Sequence, residues 1–346
     1  MPAPMIRRIL ILIVLFAGAG FISLHFSSLS AELAALGRGD FELILLALGV
    51  VALVNVNMAL SYKAIFNALG IEESVWRLIP LAAAASFINI VAPSVGASSV
   101  ALLASEAHRR GQPVGRATIA ATFYMLYDLL GFMLVLALGI IVLIRRNTLD
   151  ASEIAATFTL STVAVTLVVL MALGLKSAER LESALLRLAR IANRLAAWLR
   201  RPAFVDEKRT HSFAQDMAEA LLQMRSRKRN FLLPLLFSLT HRVLFIAVLV
   251  LMFLAFTTPF SAGTIIGGFS IGYLFTVVSP TPAGIGVVET LMPLGLVSLN
   301  VPLGRATVIT LAYRALTFWF PLLIGFVAFQ TLHGRGLVGA PESEQV

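Results

Sequence analysis

Uninterrupted apolar runs limit what this chain can fold into more than any other feature. Six of them reach or approach the roughly 20 residues that an α-helix needs to cross a bilayer, at about 6–26, 41–62, 114–144, 153–175, 231–256 and 304–332. They lack the period-2 alternation of barrel strands, so the spans are expected to be helical. With 59% hydrophobic and 13% charged residues, the sequence predicts an all-α polytopic membrane protein. The first run is interpreted as a retained span and not as a cleaved signal peptide.

Two further apolar regions are interrupted by proline and glycine. In 76–106 an apolar piece of about 15 residues ends at Pro93, and a shorter piece follows it. Region 262–300 has the same form around the sequence SPTPAGIGVVE, residues 279–289. No piece reaches the length of a full span, which predicts two re-entrant hairpins that leave the membrane on the side they entered. Two pairs of kinked full spans are the alternative, because proline and glycine also occur in ordinary membrane helices.

The two interrupted regions belong to an internal repeat. A shift of 189 residues places PVGRAT (113–118) on PLGRAT (302–307), and the ungapped stretch 93–124 has eight identities in 32 positions. Each unit reads span, hairpin, span, and one more span at 153–175 separates the units, so the second unit starts from the opposite side. The expected fold is therefore an inverted repeat with about six full spans and two re-entrant helix hairpins.

Positive charge orients these spans. We divide the chain into an N-terminal span and loop (1–40), repeat unit 1 (41–144), a linking span with a basic loop (145–230), repeat unit 2 (231–333) and a polar tail (334–346). The side that carries both termini collects Arg7, Arg8, Lys63, Arg77, Arg109, Arg110, Arg116, Arg335 and all 13 Lys or Arg of 176–229. The other side has Arg38, Arg145, Arg146 and Arg305. Both termini are therefore expected in the cytoplasm.

The basic loop also contains an amphipathic segment. In 176–200 leucines follow helical spacing on one face, while arginines lie off that face. This pattern predicts a helix in the interface plane against anionic lipid; a solvated helix that only sets orientation is the alternative. The net charge of +9 is thus assigned to topology and lipid contact, and nucleic acid is not expected as a partner.

Five ionisable residues fall within apolar segments at membrane depth. They are Asp128, His241, Arg242, Glu289 and Arg314. Such residues are expensive in a bilayer and are functional candidates by default, although an acid that neutralises an arginine can simply lock helices together. Three cationic residues face two acids, so one positive group remains even if both acids are paired. That surplus predicts an anionic ligand.

The hairpin turns provide a second reason to expect an anion. A helix that restarts at membrane depth presents unpaired backbone N–H groups and the positive end of its dipole. Gly96 and Ser98 lie at such a start in the first unit, and Gly284 and Gly286 in the second. We therefore expect a headgroup site near the bilayer midplane, where the two units meet.

Nothing in the sequence indicates an enzyme or a cofactor. There is no cysteine, and HExxH and Walker A motifs do not occur. Five scattered histidines have no metal-ligand spacing. No catalytic residue, metal or cofactor is therefore assigned.

These motifs resemble a known family. SPTPAGIGVVE followed by NVPLGRATVITLAYRALTFWFPLLIG resembles the carboxy-terminal motif of the lysylphosphatidylglycerol synthase transmembrane (flippase-domain) family. The stretch NIVAPSVGASSVALLASEAHRRGQPVGRATIAATFYMLYD is similar to an earlier, looser motif of that family, and the similarity runs over roughly 5–333. Two departures are a first turn that reads Gly-Ala, and a chain that ends at Val346 without the soluble aminoacyltransferase domain of the bifunctional members.

The resemblance implies a multi-pass protein of the bacterial inner membrane. It implies that the chain translocates a lipid, as the best understood members do with aminoacylated phosphatidylglycerol, and it supports Asn89, Pro93, Gly96, Asp128, Pro280, Pro282, Gly284, Gly286, Glu289 and Arg314 as site residues. The expected partners are membrane lipids, either an anionic phospholipid or a glycolipid; a homo-oligomer remains open. The alternatives are a membrane transferase or accessory subunit that handles a lipid-linked sugar, and a structural assembly subunit.

Overall fold

The chain is a set of packed helices. The computed structural model describes residues 26–91, 97–111, 114–146, 228–279 and 281–338, with a few isolated positions between 169 and 194. Numbered over these ranges, the helices are α1 (Phe26–Leu36), α2 (Phe41–Ala68), α3 (Val75–Val91), α4 (Ala97–Arg109), α5 (Val114–Arg146), α6 (Lys228–Ala255), α7 (Ala262–Val278), α8 (Val287–Ser298), α9 (Leu303–Arg314) and α10 (Phe320–Val338). A 3-10 turn, Pro282–Gly284, and a π-helical segment, Ala315–Trp319, complete them. The described ranges contain no strand.

Four helices are long and apolar enough to cross a membrane. They are Phe41–Ala68, Val114–Arg145, Leu232–Ala255 and the joined helix Leu303–Leu332. An all-α polytopic membrane protein is thereby confirmed. The predicted spans at 6–26 and 153–175 and the amphipathic segment 176–200 lie outside the described residues, apart from the end residue Phe26 and the isolated positions, and stay predictions.

Each interrupted region forms two short helices that pack on each other. The arms of the first hairpin, α3 and α4, have 17 and 13 residues, and those of the second, α7 and α8, have 17 and 12. At 1.5 Å per residue even the longer arms span only about 25 Å, less than the hydrocarbon thickness of about 30 Å. Short arms of this kind fit hairpins that enter the membrane part-way.

Equivalent arginines of the two units make equivalent contacts. Arg116 of PVGRAT donates to the backbone carbonyl of Leu69 at 3.5 Å. Arg305 of PLGRAT donates to the backbone carbonyl of Phe256. Each carbonyl closes the first long helix of its own unit, where a cation compensates the negative end of the helix dipole. The two units therefore share this helix-end contact as well as the sequence motif that carries it.

The backbone repeats as well. Gly70 and Thr257, which follow those two carbonyls, both have positive φ, 72° and 46°. Gly111 and Asn300, which stand 189 residues apart before the last helix of each unit, have φ of 64° and 68°. Left-handed residues end helices in this way. The opposite orientation of the units depends on the span at 153–175 and stays a prediction.

Helices of one repeat unit pack against helices of the other. The first long helices, α2 and α6, lie against each other, while α3 packs on α10 and α7 packs on α5. Glycines let two of these helices approach closely. A Cβ added to Gly325 of α10 would lie 2.5 Å from the backbone oxygen of Ala83 in α3. Small residues at such crossings are what membrane helices use to bring backbones together.

Replacing Gly325 with leucine is expected to lower the stability of the protein by about 1–3 kcal/mol, because the neighbouring atom is backbone and cannot move aside. Gly49→Leu is the matched control, since a Cβ at Gly49 meets nothing within 4 Å. Melting of the two purified variants in detergent, followed by size-exclusion chromatography, compares them. Equal melting temperatures would mean that the α3–α10 crossing is not as tight as described.

Candidate functional site

The first charged cluster joins α5 to α6. Arg242 Nη2 lies 2.6 Å from Asp128 Oδ1 and donates to the backbone carbonyl of Asp128 at 2.9 Å. The guanidinium is fully buried, whereas the Asp128 side chain is 27% exposed. The central guanidinium carbon of Arg242, Cζ, lies 4.3 Å from the ring centroid of Tyr273 and 5.8 Å from that of Phe132. The arginine is therefore held between a carboxylate and two aromatic rings.

Arg242 has hydrogen-bonding capacity left over. Its Nε and Nη1 are buried and have no hydrogen-bond partner among the described residues. Unsatisfied donors on a buried charge are expensive, so they are uncommon unless a ligand uses them. His241 Nδ1 stands 3.9 Å from Asp128 Oδ1, beyond hydrogen-bonding distance. The cluster is thus an ion pair whose fully buried cation has two nitrogens beyond the pairing with Asp128, and the Tyr273 side chain is its other polar neighbour.

The helix that carries Arg242 is fixed to its neighbours one turn earlier. Ser238 donates to the backbone carbonyl of Tyr127 at 2.6 Å, and Asn57 of α2 donates to the backbone carbonyl of Phe237 at 2.8 Å. Gly131 lies against Ser238, so α5 and α6 approach closely at this level. Arg242 is consequently positioned by three helices that cross near the middle of their length.

The second charged cluster joins the second hairpin to the last long helix. Arg314 Nε donates to Glu289 Oε1 at 2.7 Å, and Nη2 donates to the backbone carbonyl of Ala283 at 3.1 Å. The other carboxylate oxygen of Glu289 accepts from the backbone N–H of Gly286 at 2.7 Å. Arg314 is 4% exposed and stacks 4.6 Å above the ring of Phe318. One arginine therefore holds both the hairpin turn and the first helical turn of α8.

The two glycines of this turn have different surroundings. Gly284, with φ 76°, is buried, and a Cβ there would lie 2.9 Å from Thr276 Cα. Gly286, with φ 81°, is exposed, and a Cβ there meets nothing within 4 Å. Of the predicted contacts, Gly284 thus serves the packing of the hairpin, while Gly286 is reachable by a ligand. Pro282 begins the 3-10 turn that ends at Gly284.

A π-helical segment follows Arg314 directly. Residues Ala315–Trp319 form it, between α9 and α10. π segments are rare and occur frequently at functional sites, because the extra residue weakens the regular hydrogen-bond ladder. Here the segment lies next to the cation that holds the hairpin.

In the first hairpin the described contact is structural. Asn89 Oδ1, at the end of α3, accepts from the backbone N–H of Ser99 in α4 at 3.2 Å, and so caps the second arm with a residue of the first. Pro93, Gly96 and Pro280 lie outside the described residues. Ser98 is in α4, and its side chain is outside the described part. Ligand contacts at these four positions stay predictions.

Two residues near the charges were not singled out from the sequence. Glu32 of α1 is 1% exposed and interacts with Arg314 and Glu289. Tyr273 lies beneath Arg242 and is an electrostatic neighbour of both Tyr124 and Tyr313, which the 189-residue shift pairs. Glu32 is an acid in an otherwise apolar helical pattern, but it lies beyond the run at 6–26, in a stretch for which the sequence predicts a loop. Tyr313 is in turn an electrostatic neighbour of both Arg242 and Arg314.

The five ionisable residues thus form two groups, Asp128 with His241 and Arg242, and Glu289 with Arg314. Within the described ranges no cluster of His, Cys, Asp or Glu could hold a metal ion.

A family model described as the lysylphosphatidylglycerol synthase transmembrane region matches residues 7–325. A comparison with curated proteins gives no match.

Proposed function

The chain belongs to the lysylphosphatidylglycerol synthase transmembrane family, and on that basis we propose that it carries an anionic phospholipid or glycolipid between the two leaflets of the membrane. The lipid headgroup passes through a site between the two repeat units, while the acyl tails stay in the bilayer. The proposed location is the bacterial inner membrane, with both termini in the cytoplasm. The proposed role is transport and not covalent chemistry.

The observation that supports this proposal most strongly is the unfinished hydrogen bonding of Arg242. Its two partnerless nitrogens, Nε and Nη1, each form a planar donor fork with Nη2, the nitrogen that is paired with Asp128, and such a fork matches the geometry of a phosphate group. The tyrosine and phenylalanine rings around the guanidinium exclude water and strengthen its attraction to an anion. A phosphate that displaces the Asp128 carboxylate from Nη2 would use one of these forks and so satisfy one of the partnerless nitrogens as well.

Access to Arg242 is controlled by Asp128. Because the carboxylate is partly exposed and the guanidinium is fully buried, an arriving headgroup meets the acid first. A headgroup amine can pair with Asp128 while the phosphate takes its place on Arg242. A zwitterionic or aminoacylated headgroup would thus replace both halves of the ion pair, and a purely anionic headgroup would replace one half.

The second cluster supplies the movement. The Arg314–Glu289 pair and the bond to Ala283 hold the hairpin turn against the last long helix, and the π segment provides a place where that helix can adjust. Opening the pair releases the turn and changes which side of the site is accessible, as alternating access requires. Two discrete arrangements of the second hairpin are sufficient for alternating access.

Leaflet exchange in liposomes tests the proposal. Fluorescent phosphatidylglycerol, aminoacylated phosphatidylglycerol and a glycolipid are each incorporated with the purified protein, and a membrane-impermeant quencher reports the outer-leaflet fraction over time. We expect exchange faster than in protein-free liposomes for at least one of these lipids. No acceleration for any of them would contradict transport, and a covalently changed lipid in the extract would favour the transferase alternative.

A further inference from the structure

Glu32 is a third acid that the transport mechanism above does not use. It lies on α1, which packs against α9 and the π segment, and its side chain is almost completely buried. Its Oε2 has no hydrogen-bond partner among the described residues. A carboxylate oxygen in such a place is either uncompensated, at a high cost, or belongs to a neutral acid.

Burial of Glu32 away from water is the main reason to expect the neutral acid, because the attraction of Arg314 exceeds the repulsion of Glu289 and acts in the opposite direction. The charged groups that interact with it are Arg314 of α9 and Glu289 of α8, and the uncharged indole of Trp319 in the π segment also interacts with it. Arg314 is already engaged by Glu289 at 2.7 Å and by the Ala283 carbonyl. A second ionised carboxylate would therefore give this buried cluster two negative charges and one positive charge. One proton on Glu32 restores neutrality.

Because the buried cluster is most stable without a net charge, the protonation state of Glu32 depends on whether the Arg314–Glu289 pair is closed. While the pair is closed, Arg314 has its counterion and Glu32 keeps its proton. When the hairpin moves and takes Glu289 away, Arg314 is left as a buried cation without a partner, which is costly. Ionised Glu32 is the nearby group that can replace Glu289, and its O–H bond then breaks with transfer of the proton to water.

We propose that Glu32 is a proton-binding site that holds one proton while the Arg314–Glu289 pair is closed and releases it when the pair opens. The coupling of this proton to lipid movement rests on the proposed function, whereas the proton site itself does not. A proton gradient would then supply the energy for directional transport. Water-filled access is needed only in the open arrangement.

Infrared spectroscopy of the full protein in liposomes tests the site without measuring transport. We expect a carbonyl band of a protonated carboxylic acid in the wild type, shifted in heavy water, that disappears in Glu32→Gln. It should also disappear in Glu289→Gln, where Glu32 remains but must ionise to balance Arg314. Glu42→Gln, at an exposed acid in the first turn of α2, is the control and should keep the band. A wild type without the band, or a band that survives Glu32→Gln unchanged, would overturn the proposal.

Thermal stability gives an independent check. Glutamine resembles the protonated acid in shape and charge, so Glu32→Gln is expected to melt at the temperature of the wild type or above it. A clear loss of stability in Glu32→Gln would mean that an ionised Glu32 supports Arg314 in the closed arrangement, and the proposal would be wrong.

Measurements of lipid transport test separately whether the proton site is coupled to lipid movement. With an outward or inward proton gradient, leaflet exchange by the wild type should change rate, and exchange by Glu32→Gln should not respond. If the infrared band behaves as expected but the wild type moves none of the tested lipids, the proton site stands and the proposed function fails. If the wild type moves lipid without the band, the proton site fails and the transport function stands.

Discussion

Arg242→Gln should abolish lipid exchange, and adding Asp128→Asn should restore stability without restoring exchange. The single variant leaves Asp128 as a partly buried carboxylate without its cation, which is expected to cost about 3–5 kcal/mol. The double variant removes both charges and keeps similar volumes, so most of that loss should be recovered. The phosphate-binding fork is missing in both, so exchange should stay at least about 100-fold below the wild type, the loss expected for about 3 kcal/mol of binding.

The two readouts separate a ligand site from a packing device. Detergent melting measures the stability of wild type, single variant and double variant, and leaflet exchange measures their transport. Arg242→Lys is an informative third variant, because it keeps the positive charge and the pairing with Asp128 but not the planar pair of donors. Normal exchange by the charge-free double variant would mean that this ion pair only locks α5 to α6.

Arg314→Gln is expected to release the second hairpin turn and to stop exchange. The variant loses the charged bond to Glu289 and weakens the bond to the Ala283 carbonyl, and it leaves Glu289 without a cation. A loss of about 3–5 kcal/mol is expected for a buried pair broken in this way. Because the carboxylate also holds the N–H of Gly286, local opening should appear first at the turn.

Hydrogen–deuterium exchange by mass spectrometry measures that opening. Peptides over 281–290 should exchange faster in Arg314→Gln than in the wild type, while peptides over α2 should not change. Arg305→Gln is the matched control, since Arg305 caps the end of α6 from an exposed position and its loss should cost no more than about 1 kcal/mol. Unchanged protection of the turn in Arg314→Gln would show that Glu289 and Arg314 do not hold the hairpin.

Much of the fold could be predicted from the sequence because its causes are local. The length of an apolar run determines whether a helix can cross, and proline and glycine within 76–106 and 262–300 indicate in the sequence that each of these regions is interrupted. The repeat was also visible, because PVGRAT and PLGRAT place an arginine at the same helix end in both units. In the structure Arg116 and Arg305 each donate to the backbone carbonyl at the end of the first long helix of their unit.

The pairing of the charges could not be predicted in the same way. Asp128 and Arg242 are 114 residues apart, and each acid could have paired with either arginine until the packing of α5, α6 and α8 was known. From the sequence, Gly284 and Gly286 have the same expected role, although close packing against Thr276 is what requires a glycine at 284. Glu32 was missed because the packing of α1 against the last long helix is a long-range contact.

The most direct test of the central claim measures the distance between Arg242 and a lipid phosphate. Protein labelled with ¹³C and ¹⁵N at arginine is reconstituted with a lipid that it exchanges, and solid-state NMR detects dipolar coupling between guanidinium nuclei and ³¹P. Arg242→Lys identifies which arginine gives the signal, and Arg305→Gln is the control for surface arginines. We expect a hydrogen-bonded guanidinium–phosphate contact that is lost in Arg242→Lys and kept in Arg305→Gln. Lipid exchange without any contact at Arg242 would contradict the account.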